Sequence, residues 1–305
     1  MRRLLLVANP AASGFTGALH RDVVSTLSST YDVAPVWPNS ADEARQAAAH
    51  AAESGFDVVA AMGGDGVAHY VANGLAGTDT ALGLIPAGTT NVLARILGLP
   101  GRPRPAAQAL ADAAAARPVN VAQVFAEGAD LHRMSAFGLF AVGLGFDADV
   151  VEIAEKRPHG KLRFAGLYYA QTALGTMWSR FRKRPPNLRV EAEGHRADAV
   201  AVMVQVHDTY TYLGPRPLGI GPEPAGGLTV LVMDRLNVPI AASMLPRLLA
   251  GRRLDGVDGV EVWTDVAKLI VDADPPARLQ ADGELLGQVE AVEIAPASGY
   301  LWVAG

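Results

Sequence analysis

The sequence predicts an α/β plus β fold: an N-terminal Rossmann-like parallel sheet covered by helices, then a C-terminal domain of β-sandwich type. Three observations carry this prediction. Apolar strand-like runs alternate with helical patterns through the first third of the chain, which is the signature of a parallel sheet with helical crossovers. Each of those runs ends in a turn of small and polar residues. Beyond Pro118 the texture changes to short β-like runs punctuated by turn residues.

Leu4–Ala8 reads as the first strand, stopped by Asn9-Pro10, and a helix is expected over Ala18–Ser28. Tyr31–Trp37 is a second extended run before Pro38. Ser40-x-x-Glu43 forms a capping-box pattern, because each side chain can satisfy a free amide at a helix start, and Gly55 closes the alanine-rich helix that follows. Asp57–Met62 is a buried-type strand, then Gly63-Gly64-Asp65-Gly66, then the helical spacing Val67, Val71, Leu75. A third unit repeats the design with Ala81–Ile85 as strand, Pro86–Thr90 as turn and Asn91–Leu97 as helix; Pro105–Ala116 is a further helix.

In the second half, strands are expected over Val119–Phe125, Ala136–Phe146, Leu188–Ala192, Ala199–Val206, Leu228–Met233, Val260–Trp263, Leu269–Val271 and Val289–Ile294. Ala148–Ala154 reads as helical, and one long helical stretch, Lys161–Phe181, interrupts the series. The last strand, Tyr300–Val303, fits either domain. The expected organisation is residues 1–122, with 295–305 as a candidate to complete them, and residues 123–294.

Composition bounds the chemistry. At 305 residues, net charge -5 and pI near 5.8, the chain has no global attraction for nucleic acid or an anionic membrane, so charged contacts must be local. The absence of cysteine removes disulfides, thiolate metal sites and cysteine nucleophiles, and fits a reducing compartment. The apolar run after Arg2-Arg3 ends at Asn9-Pro10 without a cleavage region, and no segment reaches the ~18 apolar residues of a membrane helix. A cytoplasmic protein is expected, at most peripheral at a membrane. The seven histidines show no metal-ligand spacing. Trp178–Arg184 mixes aromatics with basic residues, either as a solvated helix end or as a membrane-surface contact.

Gly63-Gly64-Asp65-Gly66 lies where a strand ends and a helix begins, the place at which an open α/β sheet binds its ligand. Glycines there let backbone amides approach phosphate oxygens, and the helix presents its positive end to the anion. Asp65 would repel that anion unless it holds a metal on a triphosphate or accepts a proton from an attacking hydroxyl. A tight turn is the structural alternative. Two further turns at strand carboxyl ends, Asn9-Pro10-x-x-Ser13-Gly14 and Pro86-Ala87-Gly88-Thr89-Thr90-Asn91, make a nucleotide site and phosphoryl transfer the stronger reading. No P-loop sequence is present.

These turns, with Ala94-Arg95, Gly143-x-Gly145-Phe146-Asp147-Ala148 and Asp282-Gly283-Glu284, occur in the order found in diacylglycerol kinase catalytic-domain proteins, and the chain resembles that family of bacterial lipid kinases over almost its whole length. The resemblance implies an N-terminal domain similar to those of NAD kinases and phosphofructokinases, with ATP and lipid meeting in the cleft before a β-rich domain. It implies that Asn9, Pro10, Ser13, Gly14, Gly63, Gly64, Asp65, Gly66, Gly88, Thr89 and Thr90 line ATP with Mg2+. Asp65 and Glu284 become the paired carboxylates, Glu284 as general base and Asp65 as the Mg-ATP positioning group, or the reverse. Asp147 and Asp149 would face the lipid head group; the alternative for Asp147 is a helix cap. For Asp282-Gly283-Glu284 the residues alone suggest a surface β-turn.

The chain departs from the family pattern at several places. Val67 stands where threonine is common and Val92 where aspartate is common, and Trp37-Pro38 replaces a threonine of the adenosine site. Ala225-Gly226-Gly227 lacks the Asp-Gly of members with a structural magnesium, and the asparagine usual near His207 is missing, so no such ion is expected there. The expected function is an ATP-dependent lipid kinase with a lipid alcohol as substrate. The rivals are a kinase of a soluble metabolite, disfavoured for NAD by the lack of an Asn-Glu pair after the glycine turn, and a catalytically silent nucleotide-binding regulator.

Overall fold

The computed structural model describes residues 1–128, 132–155 and 184–305. The expected helix Lys161–Phe181, Tyr168-Tyr169, Met177, His159 and all of the basic cluster except Arg184 lie outside the described residues. The fold is α/β plus β, in two compact units: Met1–Val121 with Ala297–Gly305, and Ala122–Pro296.

In the first unit β1 (Arg2–Ala8), β2 (Tyr31–Val36), β3 (Val58–Gly63) and β4 (Ala81–Pro86) form a parallel sheet in the order β4-β3-β1-β2. The strands are apolar on both faces because helices cover both: Leu4, Leu5, Leu6 and Val7 are all buried, as are Val58 to Met62. Helices α1 (Gly17–Leu27), α2 (Ala41–Glu53) and α3 (Asp65–Leu75) follow the first three strands, and α4 (Val92–Ile96) and α5 (Pro103–Asp112) follow β4. The α5 helix starts two residues earlier than expected, since Pro103 supplies the fixed φ suited to a first turn, and it ends well before Ala116, which already belongs to a strand.

The α2 start departs from a symmetrical capping box. Ser40 accepts from the Glu43 amide at 3.1 Å, but the Glu43 carboxylate accepts from the Asn39 amide at 2.7 Å, one residue outside the helix. Between α2 and α3 the contact is backbone-close at Gly74, where an added Cβ would lie 2.3 Å from the Arg45 carbonyl oxygen.

The second unit is antiparallel at its centre. It contains β5 (Ala116–Gly128, from Ala122 onward), β6 (Arg133–Gly138), β7 (Ala141–Gly145), β8 (Leu188–Ala192), β9 (His195–Ala199), β10 (Ala201–Gln205), β13 (Leu228–Met233), β14 (Val260–Val266), β15 (Leu269–Ala281) and most of β16 (Glu284–Ala304). Its path runs β14-β13-β10-β7-β15-β16, with β8 on β15, β9 on β8 and β6 on β5. A small hairpin joins β11 (Thr211–Leu213) to β12 (Arg216–Leu218). Alternating residues such as Val202 and Val204, Val230 and Val232, Leu279 and Ala281 build its core.

Three expectations need correction here. The single strand Ala136–Phe146 is two strands broken at Leu139-Phe140, because their amides turn toward a buried carboxylate. Leu269–Val271 extends to Ala281 as one bulged strand. A helix not foreseen, α7 (Val238–Leu249), follows β13; Asn237 caps it by accepting from the Ile240 amide at 3.0 Å, and Pro239 and Pro246 hid its periodicity. The helix α6 (Phe146–Glu155) covers the expected Ala148–Ala154, while Val289–Ile294 and Tyr300–Val303, expected as separate strands, are both part of β16, whose end pairs in parallel with β4 through Val303 and Leu82 and so belongs to the first unit.

Candidate active site

The parallel order β4-β3-β1 places the carboxyl ends of these strands side by side, so the turns that follow them share one edge of the first unit. They interlock through the backbone. The Ala87 and Gly88 amides both donate to the Gly63 carbonyl, at 2.8 and 3.1 Å, and the Gly14 amide donates to the Ala87 carbonyl at 2.8 Å. The Asn9 amide donates to the Met62 carbonyl at 3.0 Å, while the Asn9 side chain accepts from the Ala11 amide at 2.9 Å. Ser13 and Thr89 hydroxyls lie 3.3 Å apart.

Glycine is required where these turns touch. A Cβ on Gly88 would lie 2.5 Å from the Gly64 Cα, and one on Gly14 would lie 2.9 Å from the Ala87 oxygen. Both positions are filled by backbone, so neither tolerates a side chain without moving a turn. Asn91 holds a left-handed conformation at φ 50° and fixes its own turn, accepting from the Gly88 amide at 3.1 Å and donating to the Gly88 carbonyl at 2.9 Å.

Asp65 is the first residue of α3, with Gly64 as its N-cap. Its carboxylate accepts from the Leu93 amide at 3.2 Å, tying the start of α3 to the start of α4. A shallow, open depression is lined by Gly63, Gly64, Asp65, Pro86, Asn91 and Leu93 among others. Pro10 and Thr90 lie in the same turns, and Gly66 is the second residue of α3. Trp37, half exposed after β2, lies edge-tilted to His20 with centroids 5.2 Å apart, and His20 in turn lies 5.9 Å from Phe15.

In the second unit the turn Asp282-Gly283-Glu284 joins β15 to β16. The surface-turn reading is overturned for its first residue: Asp282 is 5% exposed. Its carboxylate accepts from the Leu139, Phe140 and Ala141 amides at 2.8–3.2 Å, and its own amide donates to the Ala141 carbonyl. The Gly283 amide donates to the Gln280 side-chain oxygen at 2.8 Å. The Gln280 side-chain nitrogen donates to Asp147 at 2.6 Å, and the Tyr210 hydroxyl donates to the same Asp147 oxygen at 2.7 Å. Glu284 opens β16 at the end of this chain of bonds and is half-buried.

Asp147 is therefore not a helix cap, although it sits in the first turn of α6. Burial raises its carboxyl above the ordinary carboxylate range, opposed by the Tyr210 and Gln280 bonds. Burial, with the Asp147 charge beside it, holds the Tyr210 phenol well above its usual value. Gly143 makes the cluster possible, since a Cβ there would fall 2.0 Å from the Asp147 oxygen. Asp149 is buried and accepts from Arg278 at 2.6 Å, with Glu152 3.2 Å from the same guanidinium and Arg184 3.8 Å from Asp149. His207 is enclosed, 3.0 Å from the Leu139 carbonyl, and burial lowers its pKa below the ordinary histidine value.

Sequence reasoning missed Tyr210, Gln280, Arg278 and the structural role of Asp282. One signal was legible: Arg278, Gln280 and Asp282 alternate with the buried Ala277, Leu279 and Ala281, a polar face running along an apolar strand into the turn. In the loop before β13, the Ala225 amide donates to the Asp265 carboxylate, and a Cβ on Gly227 would lie 2.3 Å from the Asp265 backbone. Among the described residues there is no group of three or more His, Cys, Asp or Glu arranged to hold a metal ion.

Residues 3–124 match the family model described as the diacylglycerol kinase catalytic domain. The chain is 35% identical over 295 residues to a diacylglycerol kinase of Bacillus subtilis, covering 95% of this chain and 92% of that one. A crystal structure of a diacylglycerol kinase from Bacillus anthracis aligns with TM-score 0.72 at 21% identity, covering 99% and 96% of the two chains. A yeast NADH kinase complexed with NADH aligns with TM-score 0.51 at 9% identity over 100% of this chain and 83% of that one. These structural likenesses concern the fold.

Proposed function

Because the chain belongs to the diacylglycerol kinase catalytic-domain family, whose members are phosphotransferases with an alcohol acceptor, we propose that it transfers the γ-phosphoryl group of ATP to the hydroxyl of a diacylglycerol-like or sphingoid-like lipid. The observation that carries this reading is the interlocked set of glycine turns around Asp65, at the amino end of an eleven-residue helix. Backbone approach without side chains, a positive helix end and one carboxylate are what a metal-bound triphosphate requires.

In this reading Asn9, Pro10, Ser13, Gly14, Gly63, Gly64, Gly66, Gly88, Thr89 and Thr90 line the nucleotide, and Asp65 positions it with Mg2+. A single carboxylate fits a cation that takes its other oxygen ligands from phosphate and water. Bound Mg-ATP supplies the transferable phosphoryl group and screens its charge. Glu284 accepts the proton of the lipid hydroxyl. The Asp282 and Gln280 bonds hold its turn rigid, which fixes where that proton is received. Asp147 and Asp149 serve the acceptor side of the same unit.

The test is phosphoryl transfer from γ-labelled ATP, in the presence of Mg2+, to a panel of detergent-dispersed lipid alcohols and of soluble nucleotides and sugars. A labelled lipid is the expected product. A labelled soluble acceptor replaces the lipid reading with that of a metabolite kinase, and unreacted ATP that still binds replaces it with that of a nucleotide sensor.

A further inference from the structure

The outer face of α7 is apolar where solvent should favour polar residues. The helix buries Ile240 and Met244 against its own unit, yet Val238 is 44% and Leu245 53% exposed. Val238, Ala242, Leu245 and Leu249 follow one another at steps of four, three and four residues, which stacks them on a single stripe opposite the buried pair. Val238, Ala242 and Leu245 are exposed and Leu249 is half-buried.

The charge pattern says what this stripe meets. From Val238 to Arg253 the sequence holds Arg247, Arg252 and Arg253 and no aspartate or glutamate, in a chain whose net charge is -5. Arg252 and Arg253 are exposed just beyond the helix; Arg253 pairs with Asp255, and Arg247 donates to the Arg253 carbonyl at 3.3 Å. The acidic residues bordering the segment are paired with arginines, Asp255 with Arg253 and both Asp234 and Asp258 with Arg235. A helix with an exposed apolar stripe, no negative charge and arginines at one end suits the plane of an anionic membrane surface. There the stripe enters the acyl boundary and the guanidinium groups remain among the phosphates.

We infer that α7 is a membrane-docking helix that seats the protein on anionic phospholipid through Val238, Ala242, Leu245 and Leu249, with Arg252 on the headgroups. The inference deepens the lipid-kinase reading and rests on it only for its purpose, since the surface itself is argued from exposure and charge. Docking there would bring the second unit to the bilayer in which a lipid acceptor is dissolved.

The experiment is flotation of the full chain, without ATP or acceptor, on phosphatidylcholine vesicles with and without about one third phosphatidylglycerol. The wild type is expected to float with the anionic vesicles, and less at high salt. Arg252→Gln should weaken partitioning by about fivefold and Leu245→Glu by about tenfold or more. Both should keep the wild-type thermal midpoint and the wild-type turnover of detergent-dispersed acceptor. The inference is overturned if the wild type ignores anionic vesicles, or if Leu245→Glu floats as well as the wild type. It is also overturned if the wild type is a dimer that Leu245→Glu splits, which would make the stripe a contact between copies. Leu245-dependent flotation without any lipid phosphorylation sinks the lipid-kinase reading and leaves the docking surface standing; lipid phosphorylation without such flotation does the reverse.

Discussion

At the scale of single residues, the two candidate carboxylates sit in different settings, and the settings predict different phenotypes. Asp65 braces the start of α4 while facing the glycine turns, so Asp65→Asn should lower turnover and also weaken nucleotide binding. Glu284 ends a rigid turn away from those glycines in sequence, so Glu284→Gln should lower turnover by ~10² to 10⁴ with little change in nucleotide affinity. Steady-state kinetics with nucleotide titrations separate them, and normal turnover in both variants would end the assignment. His207 gives a pH prediction. Its burial lowers its folded pKa below the ordinary 6.5, so the unfolded chain takes up the proton first, and the stability it contributes is full above about pH 6.5 and lost as the pH falls. The opposite sign holds for Asp147, whose carboxyl is raised and whose protonation in acid favours the fold. The thermal midpoint should therefore fall from about pH 7.5 to about 5.5, and His207→Gln should flatten that fall; an unchanged slope would show that His207 is not responsible.

At the scale of elements, α2 and α3 pack through Gly74 in the last turn of α3. Propensity alone says that alanine there should stabilise by about 1 kcal/mol. Packing says the reverse, because the new methyl group would meet the Arg45 carbonyl at 2.3 Å and the Ala48 Cβ at 2.8 Å. Gly74→Ala should cost about 1–3 kcal/mol in chemical denaturation, and a stabilised variant would mean that the helices can separate at little cost. The β15 strand gives the complementary case. Its polar alternation, Arg278, Gln280 and Asp282, is a hydrogen-bonding face carried by a strand period, and the turn it ends in is ordered by bonds to residues distant in sequence. That is why Asp-Gly-Glu reads as a surface turn until Leu139, Phe140 and Ala141 are brought to it.

At the scale of the whole molecule, the chain returns to its first unit for its last strand. Leu301, Val303 and Ala304 are buried, and Val303 and Ala304 pair with Leu82 and Gly83 of β4. Removing residues 297–305 would expose the β4 edge and its apolar neighbours, so that the truncated chain should lose cooperative unfolding of the first unit and aggregate through the open edge. Calorimetry and light scattering would check this; a truncated chain with an unchanged transition would show that the closing strand is dispensable. The proposed docking helix belongs to this scale too, since among the described residues no helix is long and apolar enough to cross a membrane and the proposed lipid acceptor would be reached from the surface.

The sequence by itself determined the parallel α/β unit, because continuous apolar runs ending in glycine turns have few other ways to bury both faces of a strand. It also determined the glycine-containing turns at the strand ends, since their pattern lies in consecutive residues: Asn9 to Gly14, Gly63 to Gly66 and Pro86 to Asn91. The helix α7 was hidden by two prolines, Pro239 in its first turn, where a helix tolerates it, and Pro246 in its interior, where the ring removes a backbone donor. Only the tertiary structure decided that Gly64 and Gly88 touch, that Asp282 is a buried anchor, and that Asp147, Tyr210 and Gln280 share one network. Each depends on bonds between residues tens to more than a hundred positions apart, which local spacing does not encode.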